Sequence, residues 1–193
     1  MPTSIILIML ATLIFAVIHS LLAMHSIKQR FYAHNISPQR YRLLYVAVAI
    51  LLTGIWLAFV YTLPDRALYQ LKGSAKITSV SLQGIALIIL WLSLRPIDVA
   101  AFLGLRPFAD GIEPFIERGI YRYVRHPMYS GVILLQAASP VQSYNSLTLL
   151  AAVAAYFVIG ARFEERRLLA GHPAYADYRR RVPAFIPCPG LCR

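Results

Sequence analysis

In the first half of the chain, three long stretches carry no charged side chain, and they set the expected architecture. From Ser4 to Met24 there is no Lys, Arg, Asp or Glu, and about 21 residues at ~1.5 Å each cover the ~30 Å hydrocarbon layer of a bilayer. No basic region precedes this run and no small-residue cleavage pattern follows it, so it reads as a span rather than a signal peptide. A second span is predicted over residues 43–63, after Lys28, Arg30, Arg40 and Arg42 and before Pro64-Asp65. A third covers residues 77–94 and ends at Arg95-Pro96. Tyr45, Trp56, Tyr61 and Tyr69 suit interfacial or helix-packing positions.

The pattern then changes. A polar connection of roughly thirty residues, Arg95 to Arg125, is too long for a plain turn, and loops of that length are usually functional or contain short helices. After Pro127 the apolar run to Ser139 is worth only ~20 Å as helix, short for an independent span. A longer run, Leu147 to Phe163, follows an uncharged Pro140–Ser146 link. The two runs predict a helical hairpin. From Glu164 onward, Leu168, Leu169, Tyr175, Tyr178, Val182 and Phe185 are set among Arg166, Arg167 and Arg179–Arg181. Such an amphipathic tail is expected to lie on the membrane surface or to fold back as a lid. The expected fold is therefore all-α: a polytopic membrane protein of about five transmembrane helices, the last two forming the hairpin, plus a cytoplasmic amphipathic C-terminal segment. Residues 1–94 make an N-terminal three-span region, and residues 95–193 make a core of connection, hairpin and lid.

Composition agrees with this pattern. With 59% hydrophobic and 14% charged residues and a mean hydropathy of +0.61, an ordinary soluble domain is excluded. A net charge of +11 would suggest nucleic acid for a soluble protein. Here it is explained by Lys and Arg flanking membrane spans, with lipid head groups as counter-charge and no nucleic-acid partner. With five segments and the N-terminus outside, all of the 19 Lys and Arg except Arg66, Lys72 and Lys76 fall on the cytoplasmic side. The expected location is a bacterial-type inner membrane. Cys188 and Cys192 sit in a Pro/Gly-rich tail without ligand spacing, which predicts free thiols and no metal site.

The densest chemistry lies in one stretch, residues 118–131, where Arg118, Arg122, Arg125, Tyr121, Tyr123 and His126 run into the apolar segment that Pro127, Met128 and Tyr129 open. Proline favours the first helical position and biases its predecessor away from helix, so His126 is expected just outside a helix beginning at Pro127. The first-turn amides of that helix and the neighbouring arginines make a seat for a carboxylate or phosphate. Asn145 lies midway between His126 and Glu164, so an antiparallel hairpin brings His126 and Glu164-Glu165 to similar depth. Paired carboxylates at a membrane boundary need partners, with Arg125, Arg162 or a ligand ammonium as candidates.

Arg125-His126-Pro127-Met128-Tyr129, a short apolar hairpin, Glu164-Glu165-Arg166-Arg167-Leu168 and a Tyr-rich basic tail resemble the isoprenylcysteine carboxyl methyltransferase and phospholipid methyltransferase superfamily of integral-membrane methyltransferases. His19-Ser20, Tyr41-Arg42-Leu43-Leu44-Tyr45 and Leu103-Gly104-Leu105-Arg106 are similar to its NnrU-like and methanethiol S-methyltransferase branch. Where relatives carry Phe-Gly between the Glu-Glu motif and the tail, this chain has His172-Pro173.

The resemblance implies S-adenosyl-L-methionine as cofactor, bound by Arg125, His126, Pro127, Tyr129, Glu164, Glu165 and the Leu168 element at the cytoplasmic face, with a small thiol or lipophilic acceptor arriving from the bilayer. The cofactor's charges suit these residues. Arg125, the amides after Pro127 and His126 match its carboxylate, and Glu164 or Glu165 matches its ammonium or ribose hydroxyls. Tyr123 or Tyr129 matches its sulfonium or adenine. If the acceptor is a thiol or amine, His126 and His19 are the candidate bases. A lone span histidine such as His19 more often hydrogen-bonds a neighbouring helix. Two other classes stand beside the methyltransferase: an NADPH-dependent membrane reductase of the sterol type, which usually shows Asn-Tyr in place of Met128-Tyr129, and a non-enzymatic NnrU-like membrane protein.

Overall fold

A computed structural model describes residues 2–108 and 114–187; Cys188 and Cys192 lie outside the described residues. The chain forms two compact units, one of residues 2–66 with 98–108 and the other of residues 67–97 with 114–187.

The first unit holds α1 (Pro2–Ala23), α2 (His25–Ala33), α3 (Pro38–Thr62) and the short α5 (Val99–Phe102). Pro38 opens α3 at its first helical position, and the Ser37 hydroxyl accepts the Arg40 amide, the usual pairing of a Ser cap with an N-terminal proline. α1 and α3 run antiparallel: Tyr41 Oη donates to Leu22 O at 2.6 Å, and Ser4 Oγ donates to Pro64 O at 2.9 Å. Between those ends His19 Nε2 and Tyr45 Oη lie 2.8 Å apart, and Phe15 stacks on both His19 and Trp56. After α5 the chain turns at Gly104, whose φ of +78° and distance of 2.5 Å from its would-be Cβ to Leu43 N admit no side chain.

The second unit holds β1 (Ala67–Gln70), α4 (Gly73–Leu94), a 3-10 turn (Gly119–Arg122), α6 (Pro127–Ala137), β2 (Val141–Ser143), α7 (Tyr144–Gly171) and α8 (Tyr175–Arg181). The expected hairpin is α6 and α7. Its first arm has 11 residues, or roughly 17 Å. Such a short helix would leave its last carbonyls unsatisfied in an apolar layer. Polar side chains of α4 meet them: Ser79 Oγ donates to Ala138 O, and Gln83 Nε2 donates to Leu135 O at 3.1 Å. That accounts for Ser79 and Gln83 within the span. Gln142 and Ser146 continue the network to Gln136, and a Ser143–Ser146 capping box opens α7. Gly131 lets α6 approach α4, since a Cβ there would sit 2.9 Å from Leu90.

A two-stranded antiparallel ribbon, β1 with β2, adds a feature the helical pattern does not announce. Leu71 N donates to Pro140 O at 2.8 Å beside it, so the hairpin turn lies at the end of α4 where that helix starts. The other end of α4 therefore faces the start of α6 and the end of α7.

Among the described residues four helices, α1, α3, α4 and α7, are long and apolar enough to cross a membrane, with mean hydropathies of 2.7, 2.5, 2.0 and 1.7 over their most apolar stretches. Between 6% and 22% of those stretches is buried. The rest presents Leu, Ile, Val and Trp outward, which suits a bilayer and not water. The protein is a mainly helical integral membrane protein.

Candidate functional site

His126 caps α6 with φ −123° and ψ 58°, outside helical geometry, and Pro127 occupies the first helical position. The side chain of His126 is thereby turned into the unit, where the residue is only 6% exposed. Glu165 comes to meet it from the last third of α7, and it too is buried. His126 Nε2 lies 3.0 Å from Glu165 Oε1. An ionised carboxylate only accepts, so Nε2 carries the hydrogen and a neutral imidazole has its lone pair at Nδ1.

Glu165 is the hub of a charged knot. Its Oε1 accepts from Arg125 Nε at 2.8 Å and lies 2.7 Å from Arg125 Nη2, while Oε2 lies 3.1 Å from Arg179 Nε of α8. Arg125 also donates through Nη1 to Arg179 O at 3.0 Å and to Val182 O. Two guanidinium groups and the His126 Nε2–H around one buried carboxylate offset the cost of removing it from water. The arrangement also leaves the Arg125 donors engaged within the protein.

Glu164 is different. One residue on a helix is ~100° of rotation, and its side chain is 38% exposed. It accepts from Tyr129 Oη at 3.2 Å, and its Oε2 is 3.8 Å from His126 Nδ1. His126 thus stands between two carboxylates of unlike setting, one enclosed and one open. The ring of Tyr129 stacks on His126 at 5.4 Å and on Phe157 at 4.5 Å, so its faces serve packing and its hydroxyl serves Glu164.

The tail folds back over this site. Arg125 N donates to Pro183 O and His126 N donates to Ala184 O, both at 2.9 Å, and Ser130 Oγ donates to Phe185 O at 2.7 Å. The Phe185 ring lies 5.5 Å from His126. Residues 183–185 form a strap across the start of α6. It is anchored by buried Tyr175, Tyr178 and Val182, which pack with Phe115 and Leu168. Tyr178 Oη donates to Tyr121 O at 2.7 Å, and Tyr121 Oη donates to Ser93 O at 3.3 Å. Burial first, and then the Glu164 charge, push the Tyr121 hydroxyl up to about 12. Burial, with the Glu165 charge next, does the same to Tyr175. Tyr178 is raised as well, chiefly by burial.

Two cavities lie in this unit, and the smaller one adjoins the knot. One of about 670 Å³ is lined by Pro96, Phe115, Glu117, Arg118, Arg122, Arg181 and Val182, among others. A smaller cleft of about 220 Å³ is lined by Arg162, Arg166, Arg179 and Glu165.

Of the residues singled out from the sequence, Arg125, His126, Pro127, Tyr129, Glu164 and Glu165 come together, with Leu168 behind them in the tail cluster. Tyr123 is 65% exposed at the end of the 3-10 turn. His19 belongs to the first unit, paired with Tyr45. Sequence reasoning did not place Arg179, Phe157 or Phe115 at the site, whereas a tail folding back as a lid was one of its two expectations. Arg179 carried a signal: it lies four residues after Tyr175 on the apolar-and-basic tail. No group of His, Cys, Asp and Glu among the described residues is placed to hold a metal.

Fold and site define a membrane-embedded helical protein whose buried charges are gathered where α6 starts and α7 ends. The profile of the family described as NnrU protein matches residues 7–184, and the chain belongs to that family. It is 30% identical over 185 residues to methanethiol S-methyltransferase 2 of Bradyrhizobium diazoefficiens, covering 90% of this chain and 70% of the relative. Identity is again 30%, over 187 residues, to methanethiol S-methyltransferase of Mycobacterium tuberculosis, covering 91% and 75%. A third relative, methanethiol S-methyltransferase of Pseudomonas deceptionensis, is 26% identical over 96% of this chain and 74% of its own. No solved structure matches the chain.

Proposed function

We propose that the protein is an integral-membrane, S-adenosyl-L-methionine-dependent methyltransferase acting on a small thiol. The observation that carries this reading is the division of labour between adjacent glutamates. Glu165 is saturated by Arg125, His126 and Arg179, whereas Glu164 is left half-open beside His126 Nδ1 and Tyr129 Oη. The names of the relatives point to the same chemistry and to a small thiol acceptor.

The residues present fit such a cofactor. Glu164 offers a carboxylate for an ammonium or for ribose hydroxyls. The Arg162, Arg166 and Arg179 cleft offers guanidinium groups for a carboxylate, a task the engaged Arg125 does not take in this reading. When bound, the cofactor supplies a methyl group already activated on a sulfonium. The protein's part is then to align, to exclude water and to move one proton. The strap and the Tyr175, Tyr178 and Phe115 cluster exclude water. Glu165 holds His126 with Nε2–H directed at its carboxylate, which keeps Nδ1 free to take the acceptor thiol's proton, as an oriented imidazole does in other nucleophile-activating sites. Tyr129 keeps Glu164 beside that nitrogen. In this reading every acting group lies within residues 95–193, and the charge bias of the loops sets the site at the cytoplasmic face of an inner membrane.

The test is equilibrium titration of the purified protein in detergent with S-adenosylhomocysteine and, separately, with NADPH. Binding of S-adenosylhomocysteine alone is expected. Binding of NADPH alone would assign a membrane reductase, and binding of neither would assign a non-enzymatic role.

A further inference from the structure

Tyr175 and Tyr178 sit side by side on α8 with ring centroids 5.6 Å apart, yet their hydroxyls differ. Tyr178 Oη has a backbone acceptor at 2.7 Å. Tyr175 Oη is fully buried and has no hydrogen-bond partner among the described residues. A buried hydroxyl without a partner is costly, and a phenylalanine would fill the same space without that cost. The position of the hydroxyl gives the tyrosine a purpose. Tyr175 lies one helical turn before Arg179 on α8, and Arg179 Nε is 3.1 Å from Glu165 Oε2, while the Tyr175 ring packs on Phe115, which lines the larger cavity.

The two oxygens of Glu165 are unequally held. Oε1 has Arg125 and His126, whereas Oε2 has Arg179. The Arg179 side chain is 50% exposed and lines the guanidinium cleft, so it is the member of the knot that an incoming carboxylate can draw away. That loss would leave Oε2 buried without a donor.

We propose that Tyr175 is a positioning residue that responds to the cofactor's carboxylate: when the carboxylate engages Arg179, the Tyr175 hydroxyl donates to Glu165 Oε2 in its place and keeps His126 oriented. The inference rests on the proposed methyl-donor site. Tyr175 touches neither cofactor nor acceptor in this scheme and works through Glu165. It predicts opposite effects in the two states of the protein, which a merely structural tyrosine would not produce.

The test compares full-length wild type, Tyr175→Phe and Tyr178→Phe in detergent. Three quantities are measured: ligand-free melting temperature, S-adenosylhomocysteine affinity, and affinity for 5′-methylthioadenosine, which lacks the amino-acid carboxylate. For Tyr175→Phe the ligand-free melting temperature is expected to equal or exceed that of wild type. Its S-adenosylhomocysteine affinity should fall about tenfold, the scale of one hydrogen bond to a charged group, while its 5′-methylthioadenosine affinity stays unchanged. Tyr178→Phe, which loses a hydrogen bond already made, is expected to lower the melting temperature. A lower ligand-free melting temperature for Tyr175→Phe, or equal weakening of both ligands, would overturn the proposal, as would unchanged S-adenosylhomocysteine affinity. Failure of wild type to bind S-adenosylhomocysteine would instead remove the methyl-donor site itself.

Discussion

Glu165 of α7 grips Arg125 through two nitrogens, Nε at 2.8 Å and Nη2 at 2.7 Å, with the two side chains 9% and 11% exposed. This pair joins the end of α7 to the start of α6, and through the Arg125 bonds to Arg179 O and Val182 O it also ties down the tail. Removing one partner leaves a buried charge uncompensated. Glu165→Gln is therefore expected to cost roughly 3 kcal/mol of stability, read as a lower melting temperature in detergent and earlier proteolysis within residues 175–187.

Glu164→Gln should behave in the opposite way. Its carboxylate is half-exposed and lightly held, so melting is expected to stay near that of wild type. S-adenosylhomocysteine affinity should fall about 10- to 100-fold, as for a lost charge-assisted hydrogen bond. Calorimetric titration checks this, and a stability loss matching that of Glu165→Gln would show that the two carboxylates share one structural role.

The approach of α6 to α4 depends on Gly131. A Cβ there already meets Leu90 at 2.9 Å and Ile89 at 3.3 Å, so Gly131→Val should cost about 1–3 kcal/mol by overpacking. Thermal melting in detergent would register the loss, and a simultaneous Leu90→Ala change should recover part of it.

Alkaline pH should loosen the tail. Tyr121 and Tyr175 ionise near 12 in the folded protein because they are buried, and near 10 when unfolded. Between those values the folded state holds more protons than the unfolded one, so stability is fully present below pH 10 and falls as pH rises toward 12. Ultraviolet titration should show tyrosines that ionise only above about pH 11, with release accompanying unfolding; full ionisation near pH 10 in the folded protein would contradict this burial.

Much of this site was legible before any coordinates. Proline after His126 marked the start of α6, and equal spacing about Asn145 brought His126 level with Glu164-Glu165, because helix start signals and antiparallel register are local properties of the chain. The return of the tail as a lid was one of two expectations, but the docking of the strap was not legible. It is held by backbone bonds from Arg125 and His126 to Pro183 and Ala184, and backbone pairing of irregular segments leaves no side-chain pattern. Nor does spacing reveal that α4 serves α6: Ser79 and Gln83 look like polar interruptions until the carbonyls of Ala138 and Leu135 are seen to need donors. Of the partners expected for the glutamates, Arg125 does hold Glu165; the second guanidinium, Arg179, was not foreseen, since only the return of the tail brings it there.

The central claim is methyl transfer to a small thiol at the His126 and Glu164 site. Its most direct test supplies methyl-labelled S-adenosyl-L-methionine and methanethiol to the purified wild-type protein in detergent and collects the volatile product. Labelled dimethyl sulfide is expected from wild type, with a strong loss in His126→Ala. Cofactor binding without transfer to methanethiol, or undiminished transfer in His126→Ala, would contradict the account.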